Sequence, residues 1–274
     1  MPGHITVEQE GAVATVLIDN ADKLNALTVA MWQDLARVMR ELSADDALRC
    51  IVLRGAGDQA FAAGADIAEF ATVRNTKAQG VVYHREHVFG ALRAVAECRH
   101  PVVAMIHGPC AGGGLELACQ CDLRLSGASG RFGVPINRLG FSIAYDELAA
   151  VLPVVGRAAA LEILVEGGMW DARTAFAKGL LTRVVPDEKL ADETRATVER
   201  ICEGAPLVAR WHKQFIRRLT PHAAPFTAQE IEDSFAYFDT EDFRIGYEAF
   251  MQKKKPRFTG RSPEDVAQLV VLKH

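Results

Sequence analysis

The segment HGPCAGGGLELACQCD, residues 107–122, carries the residue types whose spacing most directly suggests chemistry. Gly112, Gly113 and Gly114 are consecutive, although each glycine inside a helix costs roughly 1 kcal/mol of stability. Glu116 follows three residues after Gly113, so on a helix the two lie on nearly the same face. A backbone without side chains admits a ligand closely, and the Glu116 carboxyl could then act on it as an acid or base.

A second stretch, DQAFAAGADI at residues 58–67, lies in a similar sequence context. Each stretch follows an apolar run, so each is predicted to connect a buried strand to a helix at the sheet edge where ligands bind. Two such turns at one crevice could direct the backbone N–H groups of Ala65 and Gly113 at one oxygen, as in an oxyanion hole. For either turn alone, the alternative is that small residues merely permit tight turns and close packing.

The elements that position these turns follow from hydrophobic periodicity. The predicted strands are 4–8, 12–18, 50–57, 101–108, 122–127 and 181–186, and the predicted helices include 28–42 and 76–98. Strands that alternate with helices favour ββα or βαβ crossovers and a largely parallel core. Helices dominate after about residue 145. We therefore predict a core over residues 1–203 and a helical C-terminal region over residues 204–274.

Composition and charge exclude several classes of protein. The 274 residues have a net charge of −4, which gives no general attraction to nucleic acid or anionic lipid. Six cysteines without CxxC spacing indicate neither a zinc site nor a disulfide framework. No signal-peptide pattern opens the sequence, and no uninterrupted apolar run reaches the roughly 20 residues of a membrane span, so a cytoplasmic protein is expected. GxSxG, GK[ST] and a strand followed by GxGxxG are absent, which argues against serine hydrolases, phosphate loops and dinucleotide sites.

Several stretches, taken together, resemble the crotonase superfamily, which includes enoyl-CoA hydratases and isomerases. They are DNADKLNAL (19–27), AFAAGADI (60–67), HGPCAGGGLELACQCD (107–122), FGVPINRLGF (132–141), ARTAFAKGLLTRVVP (172–186) and FRIGYEAFMQKKKPRF (243–258). The resemblance implies an α/β crotonase-like spiral of ββα units with a helical C-terminal region that builds homotrimers, often paired as hexamers. It also implies an acyl-CoA substrate whose enolate is stabilised by the amides of Ala65 and Gly113. No separate cofactor is expected, because CoA is part of the substrate, and neither nucleic acid nor membrane is an expected partner.

The same resemblance assigns positions around the substrate. The implied CoA- and substrate-binding residues are Lys23, Leu24, Ala63, Asp66, Ile67, Gly112, Ile136, Phe250 and Lys253. Lys23 and Leu24 would lie beside the nucleotide or pantetheine. Phe250 and Lys253 match C-terminal residues that can reach the adenine of CoA in a neighbouring subunit.

The sequence departs from the hydratase pattern at one position that bears on the reaction. Glu116 matches one of two glutamates that hydratases use on water, but the second falls at Ile136. Hydration deprotonates water and protonates carbon, whereas moving a proton between carbons needs only one base. Asp146 or Glu147 could supply the missing carboxylate, unless both simply begin a helix. Family frequency puts enoyl-CoA hydration first; an isomerase, a decarboxylase, or a non-catalytic CoA- or RNA-binding relative stays open.

Overall fold

The computed structural model describes residues 3–220 and 227–259. Its strands are β1 His4–Glu10, β2 Val13–Asp19, β3 Cys50–Gly55, β4 Val102–Ile106, β5 Pro109–Ala111, β6 Leu123–Gly127, β7 Arg131–Gly133, β8 Trp170–Asp171 and β9 Arg183–Val185. Its α-helices are α1 Val29–Ala44, α2 Phe70–Val73, α3 Lys77–Val82, α4 Phe89–Glu97, α5 Gly113–Gln120, α6 Tyr145–Leu161, α7 Ala172–Ala177, α8 Leu190–Glu203, α9 Pro206–Leu219, α10 Ala228–Ser234 and α11 Glu241–Met251. Short 3-10 turns include Ile67–Glu69, Pro135–Leu139 and Ala236–Asp239, and wide π-helical turns lie at Tyr83–Val88 and Glu162–Glu166.

The main sheet has the order β1-β2-β3-β4-β6-β9. β1 pairs antiparallel with β2, and each later pair is parallel. β4 is buried along its whole length, as expected for a strand covered on both faces. The predicted largely parallel α/β core is therefore confirmed.

A second sheet of order β5-β7-β8 was not predicted from the sequence. β5 pairs parallel with β7, where Cys110 lies opposite Phe132, and β7 pairs antiparallel with β8. Its strands have two or three residues, too few for an alternating pattern. This sheet fixes the backbone immediately before the glycine row.

Helix α1 forms where the sequence predicts it. The Thr28 side chain accepts a hydrogen bond from the Met31 N–H at 3.2 Å and caps the helix. The buried face includes Met31, Trp32, Leu35 and Met39 and packs on α4. This packing holds the Trp32 indole under the glycine row.

The predicted helix over 76–98 is helical but not uniform. A capping box between Thr76 and Gln79 starts α3, and the π-helical turn then joins it to α4. Such a turn holds more residues than an α-turn and so shifts the buried face of the helix. The buried residues of the turn are Tyr83, His84 and Val88.

The helical stretch Tyr145–Glu166 bears on the expectation that no uninterrupted apolar run spans a membrane. It is long and apolar enough to cross a membrane by length and composition alone, but charged residues interrupt it. The stretch is interrupted at Gly156, whose φ of 75° is not helical, three residues after Pro153. It packs against α5 and α4 and buries Glu147, whereas Leu152, Leu161 and Val165 are exposed.

The C-terminal region begins in a short connection between α8, which ends at Glu203, and α9, which begins at Pro206. This connection coincides with the predicted boundary near 203–206, and the division into two domains stays a prediction. Helix α11 packs on the Pro135–Leu139 turn, where a side chain on Gly246 would overlap the Leu139 carbonyl. Part of the predicted C-terminal region, residues 260–274, lies outside the described residues.

Candidate active site

A cavity of about 780 Å³ opens beside the carboxyl ends of β3 and β4. Two walls form most of it. We call the lining residues of segments 63–68 and 111–116 the turn wall, and those of segments 70–88 and 135–147 the helix wall. The turn wall is mainly backbone and small side chains, whereas the helix wall carries large and charged side chains.

Two backbone amides in the turn wall lack acceptors. Leu27 N donates to Gly64 O at 2.8 Å and Asp66 N donates to Leu27 O at 2.8 Å, which leaves the Ala65 N–H between them unused. Neither the Ala65 nor the Gly113 N–H donates to an acceptor within residues 3–220 and 227–259. The two turns adjoin, because a Cβ on Gly64 would lie 3.7 Å from Gly113 N. Two free donors on adjoining turns are the components of an oxyanion hole.

Each glycine of the row has its own structural reason. Gly112 has a φ of 49° and a ψ of −125°, a backbone conformation that side chains disfavour. A Cβ on Gly113 would lie 2.8 Å from the Trp32 ring, and one on Gly114 would overlap the Ala62 carbonyl. The row is therefore needed for the turn and for close packing as well as for the approach of a ligand.

Glu116 lies on the first turn of α5 and lines the cavity. It is 4% exposed, and its Oε2 lies 3.9 Å from the position that a Cβ on Gly113 would occupy. Burial raises the pKa of the Glu116 carboxyl well above its usual range; the nearby charge of Glu147 raises it further, and Arg74 opposes the shift. Glu116 is thus a buried carboxyl that keeps its proton to higher pH than an ordinary glutamate.

Glu147 is a second buried carboxylate at the cavity. It lies on the first turn of α6, is 4% exposed and makes a short hydrogen bond with His84 Nδ1. Burial, assisted by Arg74, lowers the pKa of His84, so we assign a neutral imidazole with its hydrogen on Nδ1. His84 Nε2 is buried without a partner among the described residues. Glu147 is thereby the acceptor of a hydrogen bond from His84.

The neighbouring residues of the α6 start face elsewhere. Asp146 lies 3.8 Å from Arg85 Nε and does not line the cavity, and Tyr145 is exposed. Both alternatives from the sequence therefore hold in part, because a helix begins at this point and one of its first residues is a buried carboxylate. Ile136, where the hydratase pattern has glutamate, lines the same wall.

Arg74 is a functional candidate that sequence reasoning missed. It is 6% exposed and lines the helix wall, with its guanidinium carbon 4.7 Å from the ring centroid of Phe70 and 4.5 Å from that of Phe141. Its Nη2 donates to the Tyr237 hydroxyl at 2.6 Å. His84 was also missed. Both residues lie in or near an amphipathic helical stretch, and no motif in the sequence singled them out.

Most of the binding residues implied by the resemblance meet at this cavity. Those that line it are Lys23, Ala63, Ala65, Asp66, Ile67, Gly112, Gly113, Ile136 and Phe250. Lys23 Nζ lies 2.6 Å from Asp66 Oδ2, and Asp66 also accepts from Ala68 N. Leu24 and Lys253 are exposed and do not line the cavity. Phe250 reaches the cavity of its own chain, in addition to any contact with a neighbouring subunit that the resemblance implies.

Comparison with known proteins decides the family. The family model described as enoyl-CoA hydratase/isomerase matches residues 8–261. The chain belongs to the enoyl-CoA hydratase/isomerase family. A "probable enoyl-CoA hydratase" of Mycobacterium bovis is 32% identical over 258 residues, which cover 94% of this chain and 98% of the relative.

Solved structures of this family share the fold. An enoyl-CoA hydratase/carnithine racemase from Magnetospirillum magneticum is 48% identical with a TM-score of 0.78, covering 94% of this chain and 96% of the other. A methylmalonyl-CoA decarboxylase in complex with 2-nitronate-propionyl-CoA is 27% identical with a TM-score of 0.84, covering 94% and 99%. The predicted crotonase-like fold is confirmed, and the chain is an enzyme of the crotonase superfamily. Members of this superfamily act on acyl-CoA thioesters, as predicted.

Proposed function

We propose that this enzyme hydrates 2-enoyl-CoA thioesters, with Glu116 as the acid and Glu147 as the base. The observation that carries the proposal is the pairing of two acceptor-free amides, at Ala65 and Gly113, with a buried Glu116 beside them, whose pKa is raised by burial. Relatives named as enoyl-CoA hydratases support the same reaction. Glu147 supplies the second carboxylate that the sequence lacks at position 136.

The proposed reaction divides proton transfer between the two carboxyl groups. Glu147, which accepts a hydrogen bond from neutral His84, takes a proton from water. At the same time, the water oxygen bonds to C3 of the acyl group. The electrons of the double bond move to the thioester oxygen, where the two amides stabilise the enolate; one such donor typically contributes about 3 kcal/mol. Glu116 then delivers its proton to C2, next to the carbonyl carbon. In many enzymes, two carboxyl groups take the separate roles of acid and base because their environments differ.

The test is a panel of CoA thioesters with 2-enoyl, 3-enoyl and malonyl groups, analysed for products by mass. We expect water addition to the 2-enoyl group, a loss of about 10³-fold or more in kcat/KM for Glu116→Gln, and retained affinity for CoA thioesters. Glu8→Gln, at an exposed glutamate of β1, is the matched control and should behave as the native enzyme. Migration of the double bond without water addition would contradict the proposal.

A decarboxylase is the second candidate, because the methylmalonyl-CoA decarboxylase is structurally similar to this chain over nearly its full length. Decarboxylation leaves the same enolate at the same amides, and Glu116 can protonate it. The malonyl arm of the panel separates the two reactions, since release of CO₂ without hydration would favour the decarboxylase.

We also propose a homotrimer, alone or paired as a hexamer, working in the cytoplasm without a separate cofactor. Large apolar side chains along α9 support self-association, because they are exposed in the single chain. They are Leu207, Val208, Trp211, Phe215, Ile216 and Leu219. Analytical ultracentrifugation of the native enzyme and of Phe215→Glu tests this, with a trimer or hexamer expected for the first and a smaller species for the second.

A further inference from the structure

Arg74 is a buried cation for which the described residues provide no anion. It is 6% exposed, and no Asp or Glu oxygen of residues 3–220, 227–232 and 234–259 lies within 4.0 Å of its guanidinium nitrogens. An arginine side chain stays charged at any physiological pH. A buried charge without a partner is costly, so natural proteins pair such groups or present them to a ligand.

The hydrogen-bonding capacity of Arg74 is largely unused. Nη2 donates to the Tyr237 hydroxyl, but Nε is buried without a partner among the described residues, and Nη1 donates to none of them. The guanidinium has five N–H donors in a planar fork, which matches the two oxygens of a carboxylate. The open donors therefore point to an anionic, planar acceptor.

Aromatic rings hold the guanidinium in place. Phe70 and Phe141 lie closest, and Tyr83, Tyr237 and Phe238 lie with their centroids 5.8–5.9 Å from the guanidinium carbon. Cation–π contacts compensate part of the buried charge, but ring faces do not fill the in-plane donor positions. The fork is thus oriented and apolar surroundings strengthen its attraction for an anion.

The carboxylates of the site do not take this role. Glu147 is engaged by His84, and no oxygen of Glu116 lies within 4.0 Å of a guanidinium nitrogen of Arg74. Arg74 lies on the helix wall, whereas the thioester oxygen is assigned to the turn wall. An acyl group held by its thioester oxygen at the turn wall would therefore meet Arg74 beyond its reacting carbons.

We propose that Arg74 binds a carboxylate at the far end of the acyl group, so that the substrate is the mono-CoA thioester of an unsaturated dicarboxylic acid. This rests on the proposed function, because it requires an acyl-CoA in the cavity. An arginine partner stabilises the ionised carboxylate before reaction, which opposes its loss as CO₂. The distal carboxylate is retained in the product and serves to hold the acyl chain.

The test measures binding without turnover. Isothermal titration calorimetry compares succinyl-, glutaryl- and adipoyl-CoA with butyryl-, valeryl- and hexanoyl-CoA, the saturated monocarboxylic thioesters of the same length. We expect at least one dicarboxylic thioester to bind roughly 10- to 100-fold more tightly than its counterpart, as for charge-assisted hydrogen bonds to a buried arginine. Arg74→Gln should reduce that ratio to about one, and Arg74→Lys should keep part of it.

Two controls keep the result interpretable. Arg138→Gln removes an exposed arginine that lines the same cavity and should leave the binding ratio intact. If Arg74→Gln does not fold, the native enzyme can be titrated with the terminal amide of the preferred dicarboxylic thioester, which has the same shape without the charge. The amide should bind as weakly as the monocarboxylic thioester.

The outcomes separate this inference from the proposed function. Equal binding of both series, or a preference that survives Arg74→Gln or disappears in Arg138→Gln, overturns the role of Arg74 while hydration can still stand. A dicarboxylic preference in an enzyme that hydrates no 2-enoyl thioester supports Arg74 and overturns hydration. Failure to bind any CoA thioester overturns both.

Discussion

The turn wall and the helix wall present different chemical groups to the cavity. The turn wall offers backbone amides and small residues, held by the ends of β3 and β4 and by the second sheet. The helix wall offers Arg74 directly after α2, His84 in the π-helical turn and Glu147 at the start of α6. The Trp32 Nε1–H donates to the Tyr83 hydroxyl at 3.2 Å and joins the two walls. We infer that the turn wall provides the enolate chemistry, and the helix wall determines which acyl group and which proton transfers are used.

Among the variants that compare the two walls, the largest effect is expected from one methyl group on the turn wall. Gly113→Ala places a Cβ 2.8 Å from the Trp32 ring. We expect the resulting shift to displace the Gly113 amide, which is proposed to bind the thioester oxygen. We expect kcat/KM to fall by about 10²- to 10³-fold for every thioester tested, whatever its acyl chain. Steady-state kinetics with several chain lengths provide the measurement.

The matched control for this variant is Gly90→Ala, in α4, where an added Cβ meets nothing within 4 Å. It should retain native kinetics. A Gly113→Ala enzyme that loses activity with only one class of acyl chain would contradict the inference that only the helix wall selects the acyl group.

An intermediate effect is expected on the helix wall. Glu147→Gln removes the proposed base and should lower kcat for hydration by roughly 10²-fold, whereas His84→Gln, which removes only its partner, should cost about 10-fold. The control is Asp146→Asn, because Asp146 faces Arg85 and not the cavity. If Asp146→Asn were as damaging as Glu147→Gln, the assignment of the second carboxylate would be wrong.

The smallest effect concerns stability and its dependence on pH. Because the pKa of Glu116 is raised in the folded state, its contribution is fully favourable below the unfolded pKa of about 4.3 and is lost as pH rises through the folded pKa. Glu116→Gln removes that titration, so the variant should be more stable than the native enzyme at pH 8. The difference should vanish near pH 4.

Urea unfolding at both pH values measures this, with Glu8→Gln as the control at an exposed position. A native enzyme that is equally stable or more stable than Glu116→Gln at pH 8 would contradict the assignment of Glu116 as a buried acid.

The two walls also differ in how well the sequence predicts them. The turn wall follows apolar strands and a glycine row, so Ala65, Gly113 and Glu116 could be selected from local pattern. The surroundings of Arg74 and His84 are formed by α6, by the 3-10 turn at Ala236–Asp239 and by the π-helical turn. No local sequence pattern predicts that these elements meet. The sequence could propose Asp146 or Glu147 as the second carboxylate but could not choose between them. Which of two adjacent residues at a helix start faces the cavity depends on tertiary packing. The sequence did not predict strands β5, β7 and β8, because two or three residues are too few to show an alternating hydrophobic pattern.

The most direct test of the central claim is hydration in deuterium oxide, with the product analysed by mass spectrometry and proton NMR. If the amides of Ala65 and Gly113 hold an enolate that Glu116 protonates, the product of a 2-enoyl-CoA gains one D₂O, with a single deuterium bonded to C2. Glu116→Gln should form this product at least about 10³-fold more slowly. Product from the native enzyme without water addition, or deuterium at C2 at an undiminished rate in Glu116→Gln, would contradict the account.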